Sequence, residues 1–316
     1  MSTIMIGMAI AKRVFYLHGE DEHGREVMHK KLSREKLVPF IANLPPSVIA
    51  MEAGCGAHHW ARRFTQLGHA VRLIHAKFVR PFVKTNKSDW NDAAAICEAA
   101  QRPTMRFVAT KSIEQQDLLS LHRVRTRLVG QRTALCNQIR GLLAEYGIVL
   151  PQSVSRLRRS LPEVMEDGEN ELSVRACRLI ASLYEELTGI DERIKPYEQA
   201  IEQESIDNVE CRRLRGIPGI GKIGATAVVA TMGDPKVFKN GRHFAAFLGL
   251  VPRQHSSGGK SQLGRISRRG DSYVRRILIQ GAHSILKRID TQDGLPSFLL
   301  PKQTVGITEN YRGKFR

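Results

Sequence analysis

The chain has 316 residues, 42% hydrophobic and 25% charged, which suits two or three soluble domains each able to bury a core. Lys and Arg number 49 against 31 Asp and Glu, a net charge of +18 that points to a polyanionic partner rather than a membrane surface. Its five cysteines are scattered with no CxxC pair, which argues against a disulfide framework or a zinc site; no signal peptide or apolar run near ~20 residues stands out, so a cytoplasmic, nucleoid-associated protein without a membrane partner is expected.

Residues 4–11 and 13–19 are short, apolar and rich in strand formers, and 25–32 reads as a third strand of the same sheet. A helical stretch at 34–44 is broken by Pro45 and Pro46. Next come a strand at 47–53 ending at Gly54, a helix at 57–67, a strand at 70–76, a helix at 90–100 and a short strand at 105–109. Three antiparallel strands followed by α/β crossovers predict a sheet of the RNase H type over residues 1–111.

From Ser112 the period changes. Leu121, Val124, Leu128, Leu135 and Leu142 fall at a and d spacing, with Gln131 and Gln138 completing the stripe. A second stripe runs through Ala176, Leu179, Leu183, Leu187, Ile190, Ile194, Tyr197 and Ile201, and the Pro-, Ser- and charge-rich stretch 151–171 between them reads as a loop. Residues 112–205 therefore form two long helices, either an antiparallel hairpin or a dimerising coiled coil. The rest, 206–316, is mostly helical, with helices at 225–232 and 273–288 and a glycine-rich loop at 252–269. The fold class is α/β plus all-α.

Three features carry chemistry. Gly219 and Gly221 around Ile220, running into a helix, fit the turn of a helix-hairpin-helix, whose backbone N–H groups and Lys222 can face a phosphate; a tight turn between packed helices is the alternative. Glu52 ends a strand, where a carboxylate projects toward the sheet's C-terminal edge, and Asp89 and Asp92 share one face of a helix start. Asp89 alone suits a helix N-cap; with Glu52 and Asp92 it suits a ligand of a hard divalent cation. Ser256 and Ser257 lie in a glycine-rich stretch with Arg253 and Lys260, followed by Arg265, Arg268 and Arg269. Positive charge of this kind can activate a serine toward a phosphoryl group, or the loop can simply bind phosphate. From Ile206 to Arg316 there are 20 Lys/Arg against 7 Asp/Glu, so a phosphate backbone is expected mainly against this third of the chain.

These residues resemble the transposases of the insertion-sequence 110 family, especially the insertion-sequence 1111 subgroup, and the related pilin-gene invertases. The resemblance spans about Gly7 to about Lys287 and rests on residues 6–12 with Val14 and Phe15, on Met51-Glu52-Ala53, and on 86–93, 216–221, 244–252 and 256–276. It implies an N-terminal RuvC-like domain whose DEDD tetrad binds Mg²⁺ (or Mn²⁺), a coiled-coil linker, and a C-terminal domain with a reactive serine that bonds covalently to DNA. It also implies a structured bridge RNA pairing with target and donor DNA, and dimers that pair into tetramers. By motif position, Glu52, Asp89 and Asp92 match the second to fourth tetrad members, and Ser257 matches the reactive serine. The first tetrad position, an Asp in the family's opening strand, is occupied here by Ala9. After Ile289 the chain also departs from the family's usual closing helix.

The resulting expectation is an RNA-guided DNA recombinase impaired by Ala9. The alternatives are a junction-resolving nuclease of RuvC-like fold, in which the serine has no role, and a non-catalytic nucleic-acid-binding relative.

Overall fold

The computed structural model of the protein describes residues 4–84, 86, 88–233 and 235–289; the atypical stretch 290–316 lies outside them. Two compact units divide the chain, one of residues 1–117 with 233–235, the other of 118–232 with 236–316.

The first unit is built on a six-stranded sheet. In chain order its elements are β1 (Met5–Ile10), β2 (Val14–Glu20), β3 (Glu26–Ser33), α1 (Arg34–Ala42), β4 (Val48–Glu52), α2 (Ala57–Gln66), β5 (Ala70–Ile74), the short α3 (Ala76–Val79), α4 (Asp89–Ala100) and β6 (Phe107–Val108). The strand order is β3-β2-β1-β4-β5-β6, with β1, β4 and β5 parallel and the others antiparallel to their neighbours. This is the predicted sheet: three antiparallel strands, then crossovers.

Alternation along the strands sorts the two faces. Ile6, Met8, Phe15, Leu17, Ile49 and Met51 bury against α1 and α2, which contribute Leu37, Ile41, Trp60 and Phe64. The opposite face carries Gly7, Ala9 and Ala50 and receives α4. That helix presents mostly small residues (Ala93, Ala95, Ala99 and Ala100) and comes down directly on Gly7. A Cβ at position 7 would stand 2.1 Å from the Ala93 carbonyl oxygen, so only glycine admits this approach.

The second unit is mostly helical, with α5 (Ile113–Ala144), α6 (Val154–Glu166), α7 (Val174–Asp207), α8 (Val209–Arg215), α9 (Lys222–Met232), α10 (Gly241–Phe247), β7 (Pro252–Ser257), β8 (Lys260–Ile266) and α11 (Ser272–Ile289). Residues 113–117 of α5 belong to the first unit. The long helices α5 and α7 run antiparallel, since Arg125 pairs with Glu198 at 2.5 Å and Arg132 with Asp191 at 3.1 Å.

Three expectations need correction here. The buried seam of α5 is Leu118, His122, Leu128, Leu135, Cys136, Ile139 and Leu143, whereas Gln131, Gln138, Val124 and Leu142 are exposed. Besides His122, the polar members along the seam are the half-buried Arg125 and Arg132, whose heads find carboxylates. The stretch 151–171 is not a plain loop: α6 buries Leu157 and Leu161 between α5 and α7, and Arg158 joins the Asp191 pair. The glycine-rich loop at 252–269 is largely a β-hairpin, β7–β8. On α7 the stripe stands nearly as expected, with Ile180 buried in place of the exposed Leu179.

Candidate nucleic-acid-processing site

In the first unit, the register of β1 and β4 decides what faces what. Met8 pairs with Met51, so Ala9 and Glu52 are the next residues along two neighbouring parallel strands, both on the face that receives α4. Glu52 is exposed as the last residue of β4, and the chain turns sharply there, Gly54 N–H donating to the Glu52 carbonyl at 2.7 Å. Asp89 and Asp92 open α4. Asp89 is not the N-cap: Ser88 holds that place, its hydroxyl accepting from Asn91 N–H at 3.2 Å. Freed from capping, both aspartates complement the positive end of the helix dipole from its first turn.

The carboxylates share one edge of one sheet face but do not enclose a cation as they stand. Among the described residues, Glu52, Asp89 and Asp92 do not bring one oxygen each within 4.8 Å of one another, and position 9 offers only a methyl group. An octahedral Mg²⁺ at about 2.1 Å from its ligands requires closer approach.

In the second unit, Ser257 ends β7, opposite Lys260 across a two-residue Gly258-Gly259 turn. Both glycines have positive φ, 55° and 77°, the left-handed pair that a tight hairpin turn demands. Ser257 and His255 alternate onto one face, with Lys260 and Gln262 across the ladder. Ser256 faces the other way and accepts a hydrogen bond from Gln254 Nε2 at 2.8 Å. Every residue from Pro252 to Arg265 is exposed; Lys260 stands across the ladder from Ser257, while Arg253 and Arg265 project into solvent from the base of the same hairpin.

Behind the hairpin, Ser267–Gly270 crosses the turn that ends α10 closely enough that a Cβ on Gly249 would sit 2.4 Å from Arg269 N, and one on Gly270 2.1 Å from Phe247 O. Arg268 is bent into positive φ, 54°, where non-glycine residues are uncommon, and Arg269 is exposed beside it. With Ser272, Arg275 and Arg276, Arg268 lines a shallow groove along α11. Arg275 and Arg276 were not singled out by the sequence reading; their three-to-four-residue spacing from Ser272 on a helix was the available signal.

The glycine turn between α8 and α9 has two different sides. Gly219, φ 82°, packs on α11, where a Cβ would meet Ile285 Cδ1 at 2.7 Å and Gly281 O at 2.8 Å. Gly221 is open, with nothing within 4 Å of where a Cβ would stand. Lys222 is paired with Glu202 of α7, whose carboxyl is held below its usual range chiefly by that hydrogen bond. So Gly219 serves packing, Gly221 has the room to meet a ligand, and the Lys222 charge is shared with a carboxylate.

Behind this turn, His122 is 1% exposed, with Nε2 3.0 Å from Thr226 Oγ1 and Nδ1 2.9 Å from Tyr273 OH. Thr226 donates its own proton to the Lys222 carbonyl at 2.8 Å, so it accepts from His122 Nε2–H, and Tyr273 donates to Nδ1. That pattern is complete for a neutral imidazole, and burial, with the nearby Arg125 charge, pushes its pKa down to about 4.

No helix among the described residues is long and apolar enough to cross a membrane. The family model described as "Transposase IS116/IS110/IS902 family" matches residues 211–294, and a second, "Transposase", matches 6–148. Among curated proteins, the chain is 46% identical over 288 residues to a "Probable family 20 transposase" of Pseudomonas aeruginosa, covering 91% of this chain and 85% of that one. It is 42% identical to the transposase for insertion sequence element IS1328 of Yersinia enterocolitica, covering 92% and 86% of the two chains. It is also 42% identical to the transposase for IS1111A of Coxiella burnetii, covering 94% and 81%.

Proposed function

Because the chain belongs to the IS116/IS110/IS902 transposase family, we propose that it is an RNA-guided recombinase that exchanges DNA strands through Ser257 and that is impaired by Ala9. The observation that carries this reading is Ser257 itself: an exposed hydroxyl at a hairpin tip, among cations, in a segment matched by the family model.

The chemistry is a pair of transesterifications. The Ser257 oxygen attacks a scissile phosphorus, a serine–DNA phosphodiester forms, and the departing sugar oxygen takes up a proton. A sugar hydroxyl of the exchanging strand then attacks the same phosphorus and returns the serine. One phosphodiester breaks and one forms in each step, so no outside energy source is required. Lys260, Arg253 and Arg265 stabilise the negative charge that develops on the phosphoryl oxygens. Glu52, Asp89 and Asp92 would hold Mg²⁺ or Mn²⁺ only with a carboxylate at position 9, where such an ion supplies Lewis-acid stabilisation of the phosphate. In this reading the chain acts on the nucleoid as dimers paired into tetramers, on target and donor DNA bridged by a structured RNA. The turn from α8 to α9 acts as a helix-hairpin-helix that meets phosphate through Gly221, and α5 with α7 serves as the coiled coil.

The test is an in vitro recombination assay of this chain beside Ala9→Asp, alone and combined with Ser257→Ala. Ala9→Asp is expected to raise strand exchange by orders of magnitude, and Ser257→Ala to abolish it in that background. Equal activity of the parent chain and Ala9→Asp removes the impairment. Cleavage that survives Ser257→Ala favours the junction-nuclease reading, and binding without any product in all three chains favours a non-catalytic nucleic-acid-binding role, for which Ala9 is the supporting observation. Sequencing RNA that co-purifies with the protein tests the guide: one discrete structured species supports it, and random fragments oppose it.

A further inference from the structure

A second group of ligating side chains lies on two antiparallel strands of the same sheet, β2 and β3. His18, Glu26 and His29 each offer one ligand atom within 4.8 Å of the other two, and among the described residues they are the trio so placed. Strand pairing explains how they meet. His18 of β2 lies opposite His29 of β3, and the register slips beside them, where Gly19 pairs with Met28 but Glu20 pairs with Glu26. Val27 is the extra residue of this bulge. In a regular strand Glu26, three residues before His29, would point to the other face; the bulge brings the two together.

The distances suit a small, nitrogen-preferring cation. Nδ1 of His18 lies 3.1 Å and Nδ1 of His29 3.6 Å from Glu26 Oε2. Ligand atoms at about 2.0–2.1 Å from a tetrahedral Zn²⁺ are about 3.3 Å apart along each edge. The supporting layer is built too. His18 Nε2 faces Glu20 Oε1 at 2.9 Å, and Gln101, which caps the C-terminal end of α4, donates to the other Glu20 oxygen at 2.6 Å. A carboxylate on the far nitrogen of a ligating histidine fixes its tautomer and raises its basicity. His29 is fixed by its ring, stacked on Trp90 at 3.8 Å and 18°. Both ring nitrogens of His18 thus face carboxylate oxygens, Nε2 that of Glu20 and Nδ1 that of Glu26.

We propose that His18, Glu26 and His29 bind one divalent transition-metal ion of the Zn²⁺ class through the two Nδ1 atoms and a Glu26 oxygen, with the remaining position open to water. Two imidazoles among three ligands select such an ion over Mg²⁺. Because His29 stacks on Trp90, the residue between Asp89 and Asn91, the bound ion braces the first turn of α4. This site is independent of the strand-exchange reading.

The experiment titrates the full chain with Co²⁺, followed by its visible absorption, then with Zn²⁺. One equivalent of Co²⁺ should give ligand-field bands that Zn²⁺ displaces and millimolar Mg²⁺ does not. His29→Gln and Glu26→Gln should each weaken that equivalent at least about tenfold, while far-UV circular dichroism stays unchanged because both side chains are exposed. Zn²⁺ should raise the Tm of the parent chain and not of His29→Gln. Absence of the bands in the parent, or bands and Tm shift that persist in both variants, overturns the proposal; the latter assigns the ion to other histidines or cysteines.

Discussion

Among single residues, His122 makes a sharp claim on pH. Its folded-state pKa is about 4 against an ordinary 6.5, pushed down first by burial and then by the Arg125 charge. The neutral ring is the form the fold keeps, so above pH 6.5 folded and unfolded chains hold the same number of protons at this site. Between pH 6.5 and about 4 the unfolded chain binds a proton that the folded chain refuses, and stability falls with pH across that window. The full loss is about 3 kcal/mol. Urea unfolding of the parent chain and of His122→Asn at pH 7 and pH 4.5 measures it. The variant is expected to start less stable, by about 1–3 kcal/mol for the disturbed Tyr273 and Thr226 bonds, and to lose less on acidification. Identical pH slopes in the two chains would contradict the buried neutral histidine. The Asp191 carboxylate presents the companion case: it serves Arg132 and Arg158 at once, and the Nε–H of each arginine is already buried without a partner. Asp191→Asn leaves two guanidiniums poorly compensated and should lower stability by about 2–4 kcal/mol in the same measurement, discounted for their partial exposure.

Between elements, close backbone contacts decide more than side chains do. The turn before α9 meets α11 glycine against glycine, and a Cβ on Gly281 would stand 2.1 Å from the Gly219 carbonyl oxygen. Gly281→Ala should cost about 2–3 kcal/mol in thermal or denaturant unfolding, whereas Gly221→Ala, with open space around it, should change stability by less than about 1 kcal/mol. A drop in DNA affinity for Gly221→Ala alone then separates ligand contact from packing at the same turn. The fold was legible in the sequence wherever burial marks an element: β2 alternates, β1 and β4 are short apolar runs buried on both faces, and the α7 stripe keeps its period. It was illegible where that signal is missing. The β7–β8 hairpin is exposed on both faces, so nothing apolar alternates, and only the Gly258-Gly259 pair marks its turn. In α6, arginines and Pro162 masked the Leu157 and Leu161 spacing, and on α5 the seam drifts because it is completed by His122 and arginine stems rather than glutamines. Of the site, Glu52, Asp89, Asp92 and Ser257 could be named from motif position, but the spacing of the three carboxylate side chains is a matter of geometry that no motif gives. The His18–Glu26–His29 trio depends on a one-residue bulge that no periodicity announces.

Charge belongs to the whole chain, and its distribution makes the last test. With 20 Lys/Arg against 7 Asp/Glu from Ile206 onward, this third should dominate the release of counterions from nucleic acid. The slope of log affinity against log salt is about −0.9 per phosphate contact on duplex DNA and about −0.7 on single strands. Arg253, Lys260 and Arg265 are exposed on the hairpin that carries Ser257, so neutralising all three to Gln should flatten the duplex slope by about 2–3 and weaken binding to every sequence alike. Lys222→Gln should change the slope less than any one of these, because Glu202 already shares its charge. Neutralising Asp89 and Asp92 to Asn should leave the slope unchanged or steepen it, since their negative charge opposes the same phosphates. Fluorescence anisotropy with a labelled duplex across a salt series resolves these differences. A triple variant whose slope matches the parent would place the phosphate backbone elsewhere, and with it would go the argument that Ser257 stands beside a scissile phosphate.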